Sequence, residues 1–351
     1  MKVNKIKCEN FIVYRKENEF SAWPRNCGVY KYKGDEIVVN FFTRTCNYQT
    51  KEEVGHGYEP PDNSSRIMQI RSKDGGKNWN NSKKILTPIN LGKGETENIN
   101  FLSPKEFNFK NPDFMLIAIK NNLFFSDDRG KTLYGPCRLP SFGYDFNWAR
   151  PDYVVREDGA LILFSTVNCS DGKEGKPIAI ISKNNGLSWE ILSYISSEKN
   201  DYMQIMPSGI ILPDGKILCA IRCQRYRHGY SFWSECYISE DSGRSWQFLS
   251  RINDIGSPCH LLLLKDGRIL ATYGYRSYPF GIRCSISEDY GKTWKNEFII
   301  RDDGGSWDLG YPVSIQLDSG KILTFYYFND KNDKIQVDGG VRYIAGSIFE
   351  I

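Results

Sequence analysis

The chain has 351 residues, with 46 Lys and Arg set against 42 Asp and Glu for a formal net charge of +4. A balance so close to neutral excludes a protein that coats nucleic acid, and 40% hydrophobic with 14% aromatic residues excludes a disordered one. Ten cysteines, at 8, 27, 46, 137, 169, 219, 223, 236, 259 and 284, include no C-x-x-C pair, so zinc spacing is absent and reduced thiols are expected.

Met1 to Cys8 lacks the apolar core of a signal peptide, and no later run reaches membrane-spanning length. The expectation is a cytoplasmic protein, or a secreted one if a leader was removed. It is expected to need no metal or cofactor and to have no membrane or nucleic-acid partner.

In chain order, Lys5 to Tyr14 reads as a strand with no unit of its own. After it an eight-residue pattern, S-x-D-x-G-x-[ST]-W, recurs from starts at 72, 126, 182, 239 and 287, spacings of 54, 56, 57 and 48 residues. It is spelled in full at Ser287-Glu288-Asp289-Tyr290-Gly291-Lys292-Thr293-Trp294, while the second copy ends in Leu133 and the third carries Asn184 for the acid. The short acid can accept backbone N–H groups of its own turn, the glycine tolerates positive φ, and the tryptophan offers an apolar plate to a neighbouring unit.

An apolar strand such as Arg283-Cys284-Ser285-Ile286 precedes each box. Further upstream lies strand, Gly turn and strand, as in His260 to Tyr273. Four short strands per unit of about 50 residues are the mark of propeller blades, with the box as the turn between third and fourth strands.

The units run from Trp23 to Pro88, Asn98 to Pro140, Trp148 to Ser197, Tyr202 to Ile252 and Ser257 to Arg301. The last, from Gly310, supplies only the strands Pro312 to Leu317, Lys321 to Phe328 and Val341 to Phe349, and Lys5 to Tyr14 can fill its vacancy. The expected fold is therefore all-β: a single domain over 1–351, a six-bladed β-propeller with Asp-box turns whose N-terminal strand closes the last blade.

This strand order sends the starts of first strands and the loops after second strands to one end. Counting eight back from the residue before each turn glycine lands on Arg25, Arg150, Met206, Pro258 and Tyr311, expected to ring a central channel. The loops at 44–63, 222–233 and 276–283 add Arg222, Arg276 and Arg283, and His56, His228 and His260 fall at the same end. Arginines converging in a near-neutral protein point to an anionic ligand, a carboxylate above all.

With these residues the chain resembles the sialidase superfamily, the Asp-box six-bladed exo-sialidases, over nearly its whole length. The resemblance implies that Arg25, Arg222 and either Arg276 or Arg283 clamp a substrate carboxylate, although the family's Arg-Ile-Pro reads Arg25-Asn26-Cys27 here. It implies Asp62, about ten residues before the first box, as general acid, and Tyr311, in Asp308-Leu309-Gly310-Tyr311-Pro312, as nucleophile. Arg150 has no counterpart in the triad and joins His56 and Asp308 as further substrate-binding candidates.

The implied chemistry is coherent. A carboxylated sugar repels a carboxylate nucleophile, and a tyrosine avoids that repulsion. A free phenol costs roughly 4 kcal/mol to ionise at pH 7, so it needs a base. The family's partner glutamate falls on Met206, which cannot take a proton, leaving Asp201, Glu235, Asp152 or Asp308 to compensate.

Three classes of function follow: a retaining exo-glycosidase for sialic acid or a related acidic sugar; a hydrolase or lyase for another acidic sugar that uses His and Tyr; and a glycan-binding propeller without catalysis. The matched positions favour the first. Bland roles exist for each residue, since Asp62 suits a turn cap and the arginines suit ion pairs between strands.

Overall fold

The computed structural model describes residues 3–86, 105–145, 147–225 and 231–351. Two N-terminal strands, β1 (Val3–Lys5) and β2 (Cys8–Tyr14), lead into sheet one: β3 (Glu19–Ala22), α1 (Pro24–Cys27), β4 (Val29–Tyr32), β5 (Glu36–Thr45), β6 (Arg66–Ser72) and β7 (Asn80–Leu86). Sheet two shows β8 (Met115–Ile119), β9 (Asn122–Ser126) and β10 (Tyr134–Arg138). The expected start of that unit, Asn98, lies outside the described residues.

Sheet three holds β11 (Asn147–Val155), β12 (Leu161–Asn168), β13 (Glu174–Ser182) and β14 (Glu190–Tyr194), and sheet four β15 (Met203–Ile211), β16 (Ile217–Arg225), β17 (Ser231–Ser239) and β18 (Gln247–Asn253). Sheet five comprises β19 (Cys259–Leu263), β20 (Ile269–Tyr275), β21 (Gly281–Ser287) and β22 (Lys295–Arg301). Sheet six comprises β23 (Gly310–Gln316), β24 (Ile322–Phe328) and β25 (Tyr343–Phe349).

Each box joins the last two strands of its sheet in chain order and is closed by its own side chains. In the last copy the Gly291 N–H donates to Ser287 Oγ at 2.7 Å, the Thr293 N–H to Asp289 Oδ1 at 2.9 Å and the Thr293 hydroxyl to Asp289 Oδ2 at 2.6 Å. The box glycine is also a contact point: at Gly76, with φ +88°, a Cβ would lie 2.8 Å from Leu323.

By contact the chain forms two compact units, one of residues 101–271 with 285–296, the other of 2–100 with 272–284 and 297–351. The first contains sheets two to four, packed through a cluster around Phe107, Phe125, Leu163 and Ile180 and another around Ile162, Phe164, Cys219 and Ile221. There Trp189 of the third box stacks on Phe125 at 6.4 Å, and Trp246 of the fourth meets Phe164 edge-on. The second contains sheets one and six, where Trp79 of the first box stands edge-on to Phe325 at 5.4 Å. The strands of sheet five are divided between the two.

The sixth sheet is completed by the N-terminus, in the order β2-β25-β24-β23, with antiparallel pairing from Cys8↔Phe349 to Tyr14↔Ile344. One detail is corrected: Lys5 is not in the closing strand. It belongs to β1, which runs parallel to β22 with Lys5 opposite Ile299 and its ammonium 2.7 Å from Asp302.

First strands share a second device. In sheets three, four and six the register breaks at an X-Pro pair, Arg150-Pro151, Met206-Pro207 and Tyr311-Pro312. Met206 and Tyr311 take φ of 54° and 52°, a conformation that costs a bulky residue roughly 1–3 kcal/mol and persists because the sheet holds it. Sheet one has the same signature at Trp23-Pro24, with Trp23 at φ 57°. Trp23, not Arg25, is thus the counterpart of Tyr311. The helical turn α1 adds residues that the eight-residue count did not foresee.

Candidate functional site

The second unit gathers a cluster around one carboxylate, Asp308, on the loop between β22 and β23. It is 2% exposed. Asp308 Oδ1 lies 2.6 Å from His56 Nε2 and accepts the Tyr327 hydroxyl at 2.6 Å, while Oδ2 accepts Arg342 Nε at 3.1 Å. Burial alone would raise its pKa, but His56, Arg342 and Tyr327 outweigh that and hold it well below the usual carboxylate range. Asp308 is an anion throughout the working pH range.

The partners are themselves fixed. Arg342, at 0% exposure, spends its remaining N–H groups on the carbonyls of Val337, Gly340 and Asp338 at 3.1, 2.9 and 2.7 Å. Burial and the adjacent Asp308 push the Tyr327 phenol well above its ordinary pKa, so it stays a donor. Tyr327 also meets Tyr311 ring to ring at 5.7 Å.

Arg276, after β20, places its guanidinium 5.4 Å from the Tyr311 ring and 5.5 Å from that of Trp307, with Nη2 on the Leu309 carbonyl at 3.1 Å.

His56 stands on a loop held by a residue that sequence reasoning passed over. Arg44, 1% exposed, donates Nη2 to the carbonyls of Glu53 and Gly55 at 3.0 and 2.8 Å and packs over the rings of Phe20, Tyr58 and Phe42. The loop also closes on itself as Glu53 Oε2 accepts the Asn47 and Gln49 N–H groups. The imidazole lies between Trp23 at 5.2 Å and Trp307 at 6.2 Å. Because Nε2 faces Asp308, Nδ1 is the ring nitrogen left for other work.

The remaining sequence candidates fall in different settings. Asp62 is exposed on the same loop as His56 and accepts the Ser64 N–H at 3.0 Å; the Ser64 side chain, first of all, holds its carboxylate below the ordinary value. Arg25 is buried in α1. Of the two arginines proposed for one role, Arg276 approaches Tyr311, whereas Arg283 donates to Glu297 at 2.7 Å and covers the Tyr275 ring. In the first unit Arg150 donates both terminal nitrogens to Glu174 at 3.0 Å.

Arg222 donates to Gln224 at 2.7 Å and lies 3.6 Å from the Met206 sulfur. Asp152 accepts the Gly209 N–H at 3.0 Å. Glu235 accepts from Gln204, Trp233 and Tyr237 at 2.9, 2.9 and 3.1 Å. His260 sits in β19, and His228 lies outside the described residues. Among the described residues no cluster of His, Cys, Asp and Glu has the makings of a metal site.

The profile of the BNR repeat-like domain matches residues 103–323, more than half of the chain. The chain belongs to this BNR repeat-like family. Solved structures agree on the fold. A Dyadobacter fermentans protein of unknown function superposes with a TM-score of 0.75 at 24% identity, covering 98% of both chains. A Penicillium chrysogenum α-L-arabinanase complexed with arabinobiose gives 0.63 at 14% identity, again over 98% of both.

A mutant Trypanosoma rangeli sialidase displaying trans-sialidase activity gives 0.58 at 13% identity, over 99% of this chain and 60% of that one. No curated protein matches by sequence. The six sheets are thus the blades of a six-bladed BNR propeller. Asp308 and Tyr311 open the sixth blade.

Proposed function

We propose that this BNR propeller hydrolyses the glycosidic bond of a terminal acidic sugar, sialic acid or a related carboxylated sugar, with His56 and Asp308 as the proton-transfer pair and Tyr311 as nucleophile. The supporting observation is the buried, ionised Asp308 aiming His56 beside Tyr311 and Arg276. A carboxylate that fixes an imidazole's orientation equips it to hold and pass a proton, a contribution of about 10²–10⁴ in rate. Arg276 lies where the carboxylate of a sugar approaching Tyr311 can be gripped by a charge-assisted bond. Arg25 is proposed to share that grip. Tyr311 attacks the anomeric carbon, the leaving oxygen takes a proton, and water then releases the sugar from the tyrosyl ether.

His56 and Asp62 are rival donors of that proton, and sialyl-lactose with a panel of uronate-terminated oligosaccharides separates them. His56→Ala is expected to lower kcat/KM at least about 10²-fold, against less than about tenfold for Asp62→Ala. A 3-fluorinated sialyl fluoride is expected to add its mass to Tyr311. If Tyr311→Phe keeps both activity and adduct, the assignment is wrong.

The arrangement also supports a second reading, elimination across a uronic acid: Arg276 offsets the carboxylate charge, His56 Nδ1 removes the proton next to it, and Tyr311 protonates the departing oxygen. An unsaturated product in place of a reducing acidic sugar identifies that course.

A further inference from the structure

Trp307 combines exposure with a rigid mount. Its indole is 43% exposed, while Ser306 and Asp308 beside it are 7% and 2% exposed and Leu309 is at 0%. The backbone on either side is tied to Asn329, itself fully buried: the Ser306 N–H donates to Asn329 Oδ1 at 2.7 Å, and Asn329 Nδ2 donates to the Asp308 carbonyl at 2.6 Å. A further bond runs from the Leu309 N–H to the Trp307 carbonyl at 3.0 Å. A large apolar side chain is therefore held at the surface by a frame with little freedom to fold it inward.

Its neighbours say what it can hold. His56 lies 6.2 Å from the indole, and the Arg276 guanidinium is 5.5 Å from it on the way to Tyr311. A proton-transfer group must touch the oxygen joining two sugars, so one ring lies to each side of it. Arg276 and Tyr311 take the acidic ring. The indole carries no positive charge to pair with a second anion, and its π face suits the apolar C–H face of a pyranose or furanose.

We infer that Trp307 is the stacking platform for an uncharged sugar, the one on the leaving side of the scissile bond. This rests on the reading of His56 given above. It goes further in assigning the enzyme to oligosaccharides, with a recognised neutral sugar next to the acidic one.

Ligand-observed NMR saturation transfer on the full chain, with lactose, cellobiose and arabinobiose as probes, tests this directly. Wild type is expected to saturate the C–H protons of at least one disaccharide. Trp307→Ala should weaken that binding at least about tenfold with an unchanged melting temperature, and Trp307→Phe should restore it to within about threefold. The inference is overturned if none of the three binds wild type, or if Trp307→Ala binds as well as wild type.

The site's chemistry is read separately: His56→Ala should keep neutral-sugar binding while losing turnover. Unchanged turnover in His56→Ala would sink the catalytic reading and with it the leaving-side assignment, whereas the saturation-transfer result alone decides whether Trp307 holds a neutral sugar. In kinetics, Trp307→Ala should lower kcat/KM about tenfold on an oligosaccharide and less than about twofold on the methyl glycoside of the same acidic sugar.

Discussion

Met206 in the fourth blade and Tyr311 in the sixth stand at the same point of the same backbone device. Each precedes a proline at a register break, φ is 54° and 52°, and each side chain is 5% exposed. Their surroundings differ. Met206 lies against Arg222, whose other terminal nitrogen is held by Gln224; Tyr311 meets Arg276 and Tyr327, and Tyr327 in turn donates to the Asp308 that holds His56. The repeat therefore copies the backbone, including its strain, and leaves the chemistry to whatever side chain each copy presents. A strained position is a socket for function, and the socket in the fourth blade holds a thioether.

The largest effect that separates the two sockets is on turnover. Asp308→Asn should reduce kcat/KM by about 10²–10⁴, because the imidazole loses the anion that aims it. Met206→Leu should change the rate less than about threefold, being a nearly volume-conserving swap. Similar losses for both would show that the sockets contribute alike.

The next effect is on stability. Arg342 is fully buried and pairs with Asp308 on the sixth-blade side. Arg342→Met should destabilise by about 3–5 kcal/mol in urea unfolding, since it strands a buried carboxylate. Arg222→Met, which removes a bond to the amide of Gln224 and strands no charge there, should cost about 1–3 kcal/mol. The comparison fails if the order is reversed.

Which parts of this were legible in the sequence follows from how local each feature is. A box is closed by bonds spanning two to four residues, so Ser287, Asp289, Gly291 and Thr293 announce the turn by themselves. Closure by β2 was legible because the last unit is one strand short.

His56 and Asp308 were each visible as site candidates, but 252 residues separate them and their pairing was not. Tyr327 and Arg342 lie in or beside the apolar runs of β24 and β25 and read as core. An arginine entering such a run between Val341 and Tyr343 was the available signal, since a buried guanidinium needs an anion. Arg25 was misplaced because nothing in Trp-Pro-Arg-Asn-Cys marks the inserted turn α1.

Met206→Glu tests whether the fourth-blade socket can be given the sixth blade's kind of chemistry. Arg222 Nη1, now 3.6 Å from the sulfur, is placed to pair with a carboxylate there. Urea unfolding should move by less than about 1.5 kcal/mol, as for a buried charge that finds its partner. A loss beyond about 3 kcal/mol would mean that Arg222 does not reach it.

The smallest effect concerns a feature that the fourth blade has and the sixth lacks, the Asp box. Asp241 accepts the Ser245 hydroxyl at 2.6 Å and the Ser245 N–H at 2.8 Å, and these bonds, the hydroxyl first, pull its pKa down to about 2. A carboxylate lowered by folding contributes stability that is present in full above its ordinary value near 4 and is lost as pH falls through the lowered one.

The Gly243 and Ser245 amide resonances should therefore shift with a midpoint near about 2 in an acid titration followed by NMR, well below the ordinary aspartate value. The group is exposed, so the change in global stability should be slight. A midpoint near about 4 would mean that the box bonds add nothing in solution, and that the fourth blade, like the sixth, turns without help from its acid.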